Sequence, residues 1–130
     1  MPIIEIKTLP QDIGIDIPKI LRRLTIETAK VINFNPEHIW ATWEFLNSKH
    51  YAFGQKLIDR QSTTTHSPII RLLSFEGKQQ SDIEKILKKI AEIISIELNI
   101  DSGNIFIEYV EGHSGKIYDG GQIIYSKIQR

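Results

Sequence analysis

The sequence predicts an α+β fold of two layers, in which two β-α-β repeats form one four-stranded sheet with two helices on one of its faces. Three observations predict it. The chain matches itself at an offset of 66 residues without a gap, and each half reads strand, helix, strand. Its 130 residues, 41% of them hydrophobic, suffice for one core but not for two ordinary domains.

The offset lays Pro2-Ile3-Ile4 on Pro68-Ile69-Ile70, and Asp16-Ile17-Pro18-Lys19-Ile20-Leu21 on Asp82-Ile83-Glu84-Lys85-Ile86-Leu87. It also pairs Asn33 with Asn99, Ile39 with Ile105, Trp40 with Phe106 and Gly54 with Gly120, and 12 of the 53 positions from Pro2 to Gly54 are identical. The expected organisation is a single domain over 1–130: repeat one at 2–55, a linker at 56–67, repeat two at 68–122, and a closing tail or hairpin at 118–130.

Each element has a local reason. Ile3 to Lys7 and Ile69 to Leu73 are short and rich in β-branched residues, as strands are. Ile17, Ile20, Leu21, Leu24, Thr28, Val31 and Ile32 fall on one face of a first helix, and Ile83, Ile86, Leu87, Ile90, Ile94 and Leu98 on one face of a second. Asp16 caps the first, with Pro18 in its opening turn, and Ser81 with Glu84 reads as an S-x-x-E capping box for the second. Asn33 and Asn99 stand where a left-handed residue ends a helix. Ile39 to Phe45 and Ile105 to Val110 alternate as strands, with Ile39, Ala41, Trp43 and Phe45 facing one way and Trp40 the other. Glycine-containing stretches, Asn47 to Gly54 and Glu111 to Gly121, suit turns or hairpins, and the Ser/Thr-rich linker has the composition of a mobile segment. Helices on one face leave apolar side chains on the other, which predicts burial against another subunit.

Composition excludes several functions. Sixteen basic and sixteen acidic residues leave no electrostatic footprint for nucleic acid or an anionic membrane. There are no cysteines, hence no disulfide, thiolate metal site or thiol nucleophile. The four histidines, His38, His50, His66 and His113, lack ligand spacing, so neither metal nor cofactor is expected. No apolar run is long enough to span a membrane and no signal-peptide layout opens the chain, so a cytoplasmic location is expected.

A proline directly after the initiator methionine, opening a strand of a doubled β-α-β unit, resembles the tautomerase superfamily, which includes 4-oxalocrotonate tautomerase and macrophage migration inhibitory factor. The stretch Ser74 to Gln80 and the ending Tyr118-Asp119-Gly120-Gly121-Gln122 look most like an uncharacterised bacterial subgroup of its fused members. The resemblance implies a homotrimer acting on a small carbonyl or carboxylate substrate, with Pro2 as general base once Met1 is removed. An α-amino group titrates near 7.7 to 8.0 and a prolyl amine higher, so burial or nearby cations must favour its uncharged form. Lys78 and then Arg71 are the cations it implies for substrate binding, each with an ordinary alternative: a solvated loop lysine, and a cross-strand ion pair with Glu5. His38, Tyr109 and Tyr118 are further candidates, with Glu108 and Glu111 as carboxylates for a hydrolytic variant. Trp40, Trp43 and Phe106 read as core or interface residues. Where decarboxylase members carry a close arginine pair, this chain has Glu76-Gly77-Lys78, which argues against decarboxylation. A non-catalytic oligomer or binding protein of the same fold, and hydratase, decarboxylase or dehalogenase chemistry at the same site, are the alternatives.

Overall fold

A computed structural model of the protein describes residues 2–11 and 14–126. Strand β1 (Ile3–Thr8) buries Ile4, Ile6 and Thr8 and turns Glu5 and Lys7 outward. Helix α1 (Ile17–Ile32) starts as its sequence dictates: the Asp16 carboxylate accepts from the Lys19 amide at 3.1 Å, Pro18 lies in the first turn, and Asn33 closes it at φ 54°. Strand β2 (Trp40–Phe45) completes the first unit, and β3 (Ile69–Phe75), α2 (Gln80–Leu98) and β4 (Phe106–Gly112) repeat it.

One cap differs from expectation. Helix α2 begins at Gln80, so Ser81 already lies inside the first turn, and no side chain caps the helix. The Glu84 carboxylate instead accepts from Gln80 Nε2 at 3.3 Å. Asn99 ends the helix at φ 53°, matching Asn33.

The sheet order is β2-β1-β3-β4, with β1 and β3 antiparallel at the centre and a parallel partner on each flank. Both helices cover one face, where Ile4, Ile6, Ile70 and Leu72 meet Ile20, Leu24, Ile86, Ile90, Ile93 and Ile94. An Arg23–Glu97 ion pair at 2.7 Å ties α1 to α2. Trp43 packs on this core and donates from Nε1 to Thr8 Oγ1 at 3.1 Å.

The other face is ordered in rows across the strands. Trp40, Ile3, Leu73 and Val110 form an apolar row. Next comes a polar row, Thr42, Glu5, Arg71 and Glu108, and then Glu44, Lys7, Ile69 and Phe106. Trp40 and Phe106 are half exposed, and Phe45, at the end of β2, leaves the core with them at 49% exposure. The outer face is therefore apolar at one end and charged through its middle.

The repeat persists into the closing segments. Phe53 and Lys56 bridge across Gly54 (φ 60°), while β5 (Ile117–Asp119) and β6 (Gln122–Ile124) form a hairpin across Gly120 (φ 62°) and Gly121. The pairs Phe53–Lys56 and Asp119–Gln122 are related by the same 66-residue offset. Residues 127–130 of the expected tail lie outside the described residues.

The linker is not the loose segment its composition suggests. Asn104, from the second unit, donates through Nδ2 to the carbonyls of Ser62 and Thr65 at 3.0 Å each and accepts from Ser67 Oγ at 2.8 Å. Gln61 Nε2 donates to the His66 carbonyl at 2.7 Å, and the buried His66 ring donates from Nε2 to the Lys56 carbonyl at 3.0 Å. Polar residues here close a knot because their partners arrive from distant positions.

Candidate active site

Pro2 is buried at the mouth of β1, where its carbonyl accepts from the Trp40 amide at 3.0 Å. That end of the sheet also collects the α1–β2 connection, the β3–α2 loop and the terminal hairpin. Two clefts lie there. The first, about 320 Å³, is lined by Phe34, Glu37, His38, Trp40 and Asp119. The second, about 440 Å³, is lined by Val31, Ile32, Asn33, Phe34, Gly77, Lys78, Gln79 and Asp82. Phe34 is common to both.

The predicted residues divide. Lys78 is half-buried in the second cleft, with Nζ 5.8 Å from the Phe34 ring centroid, a cation held over an aromatic face. His38 ends the short 3-10 turn Pro36–His38 and meets Phe34 edge to face at 6.0 Å. Both stand at the Pro2 end. Tyr118 sits on the hairpin, 71% exposed, while its neighbour Asp119 lines the first cleft.

Arg71 stands elsewhere. It lies on the outer face, level with Glu5 and so about 10 Å along the strand from Pro2. Its Nε donates to Glu108 Oε1 at 2.9 Å, so the expected Glu5–Arg71 ion pair is replaced by one with the parallel neighbour strand. Glu108 is thereby engaged on the outer face, and Glu111 is exposed.

Tyr109 points the other way, into the helix side of the sheet, where burial pushes its hydroxyl pKa up. Nearby Ser74 opposes that rise and the Glu111 charge adds to it. Beside the hairpin, Glu76 accepts from His113 Nδ1 at 2.9 Å and from the Ser114 amide at 3.1 Å, which holds its carboxyl below the usual range. Phe34 escaped the sequence reading because the repeat pairs it with Ile100, a core residue, whereas Phe34 itself is 40% exposed. Among the described residues no cluster of three or more His, Asp or Glu side chains is placed to hold a metal, and no helix is long and apolar enough to cross a membrane.

No protein-family profile and no curated protein matches the chain. Solved structures do. F6, a wild-type fused 4-OT solved as an asymmetric trimer, superposes with a TM-score of 0.79 at 19% identity, over 93% of this chain and 94% of that one. Pt0534, solved after inactivation by 2-oxo-3-pentynoate, gives 0.78 at 11% identity with the same coverage. Macrophage migration inhibitory factor from Oncomelania hupensis gives 0.74 at 14% identity, over 95% and 82% of the two chains. The fold is that of these fused 4-OT and macrophage migration inhibitory factor structures. Two β-α-β units in one chain build it.

Proposed function

We propose that the protein is a tautomerase-type isomerase that moves a proton between the enol and keto forms of a small carboxylated carbonyl compound. The observation that carries this reading is the buried Pro2 opening a central strand, bonded through its carbonyl to Trp40 of one cleft, at the sheet end where Lys78 and His38 line clefts. With Met1 removed, the Pro2 nitrogen is a secondary amine whose burial disfavours the ammonium form. Its lone pair takes the proton from one end of the enol system and its ammonium form returns it to the other, with no redox change. Lys78 binds the substrate carboxylate and balances the enolate charge as it develops. The trimeric assembly named for F6 supports a homotrimer joined through the outer sheet face. Glu108 is bound to Arg71 and Glu111 is exposed away from the clefts, so neither favours water activation and a hydrolytic reaction.

Intact mass spectrometry tests the first step, with loss of Met1 expected. Ketonisation assays with phenylenolpyruvate and 2-hydroxymuconate then compare wild type with Pro2→Ala, where activity is expected to disappear. Retained Met1 refutes the reading and leaves a non-catalytic oligomer of the same fold, whereas an undiminished Pro2→Ala variant refutes Pro2 as the base.

A further inference from the structure

The two ends of the sheet are related by the repeat, and they differ at one pair of side chains. Extending the antiparallel register one step beyond Ile3–Leu73 sets Pro2 beside Ser74, and one step beyond Lys7–Ile69 sets Thr8 beside Pro68. Pro2, Ser74, Thr8 and Pro68 are all buried on the helix side. Each proline carbonyl accepts from the neighbouring strand, from Trp40 at 3.0 Å and from Phe106 at 3.2 Å.

At the Pro68 end the adjacent polar pair is closed, since Trp43 Nε1 donates to Thr8 Oγ1. The offset of 66 puts Ser74 at the place of Thr8 and Tyr109 at the place of Trp43. Here the pair is looser: the two hydroxyls lie near enough for Ser74 to pull the Tyr109 pKa down, yet neither the buried Ser74 Oγ nor the Tyr109 oxygen has a hydrogen bond of good geometry. Buried hydroxyls without partners cost free energy, so the difference between the two ends calls for a reason. Pro68 is mid-chain and its nitrogen is an amide that neither donates nor accepts. Pro2 alone gains an N–H and a lone pair when Met1 is removed.

We propose that Ser74, backed by Tyr109, is the positioning residue of the Pro2 amine, its hydroxyl accepting the amine N–H so that the single lone pair is aimed toward the clefts. This rests on the reading of Pro2 as base and deepens it. A neutral secondary amine has one N–H and one lone pair, so anchoring the first fixes the direction of the second. The same oxygen accepts more strongly from the ammonium form, because charge-assisted bonds are about twice as strong as neutral ones. Tyr109 can donate to Ser74 and keep its oxygen directed at Pro2.

The test reads the amine directly. In protein carrying 15N-proline, the Pro2 nitrogen is titrated by NMR in wild type, Ser74→Ala, Ser74→Thr, Tyr109→Phe and the symmetry control Thr8→Ala. The amine pKa is expected to fall by about half to one unit in Ser74→Ala, to recover in Ser74→Thr, and to stay in place in Thr8→Ala. In turnover, Ser74→Ala should lower kcat by about ten- to a hundred-fold with KM nearly unchanged. An unchanged amine pKa in Ser74→Ala, or an equal shift in Thr8→Ala, overturns the proposal while leaving Pro2 as base. If Ser74→Ala does not fold, Tyr109→Phe carries the test, and an unaltered titration there overturns the proposal equally. A Pro2 nitrogen still acylated by Met1 overturns both, and the mass spectrum distinguishes that case.

Discussion

Asn104 carries the connection between the halves, and replacing it with alanine should destabilise the whole domain. Its carboxamide makes three hydrogen bonds, to the carbonyls of Ser62 and Thr65 and from Ser67 Oγ, and the residue is 4% exposed. A typical protein hydrogen bond contributes about 1 kcal/mol net, and a buried group left without a partner costs about 1–3 kcal/mol. Ser62 keeps a second donor, Gln61 Nε2 at 3.0 Å, so only the Thr65 carbonyl and the Ser67 hydroxyl lose these contacts without a replacement. The sum is a loss of about 2–4 kcal/mol. Urea unfolding at unchanged m-value measures it, and limited proteolysis should show faster cleavage within 56–67. By contrast the Arg71–Glu108 pair, with both side chains 50% exposed, should contribute about 0–1 kcal/mol when Arg71 is replaced by alanine. A loss below about 0.5 kcal/mol in Asn104→Ala, the range of ordinary surface changes, would refute the claim that this carboxamide pins the linker.

Lys78→Ala should raise KM for a carboxylated substrate by about ten- to a hundred-fold, the loss of one charge-assisted bond, while an esterified analogue should be affected far less. Glu76 has a folded-state pKa below its ordinary value of 4.5, held there by His113 first and the Ser114 amide second. The stability this gives is present above that ordinary value and is lost as pH falls through the folded one. Denaturation of Glu76→Gln should therefore show a deficit against wild type around pH 6 that closes in acid. Leu73→Lys places a charge in the apolar outer row between Ile3 and Val110, and sedimentation should then show a smaller assembly.

Much of the fold was legible because its signals are local. Asp16 and Asn33 bracket α1 through their own side chain and backbone preferences, and the repeat doubled the second of these signals at Asn99. What escaped depends on distant partners. Gln79, Gln80 and Ser81 all lie where α2 can start, and the S-x-x-E pattern favoured the wrong one because Gln80 finds Glu84 once the helix has formed. Arg71 has a carboxylate on each neighbouring strand, Glu5 and Glu108, and only the strand order shows that both compete for it. Of the residues proposed for the site, Pro2 and Lys78 can be named from the sequence, but the approach of Lys78 Nζ to the Phe34 ring depends on α1 and the β3–α2 loop coming together.

If Pro2 is the base, the repeat explains why a chain of two equivalent halves would have one site and not two. Duplication supplies two sheet ends with the same carbonyl bonds from Trp40 and Phe106, so the scaffold itself does not choose between them. Covalent position does. The Pro68 nitrogen is fixed as an amide, and the residues around it are free to be used for packing. The Thr8–Trp43 bond and the Ser67–Asn104 bond close that end upon itself. At the Pro2 end the corresponding Ser74 and Tyr109 hydroxyls are close but make no hydrogen bond of good geometry, and Lys78, His38 and Phe34 border clefts instead of filling them. On the proposed reading, the divergence between paired positions 8 and 74, and 43 and 109, falls where one proline is a free amine and the other an amide.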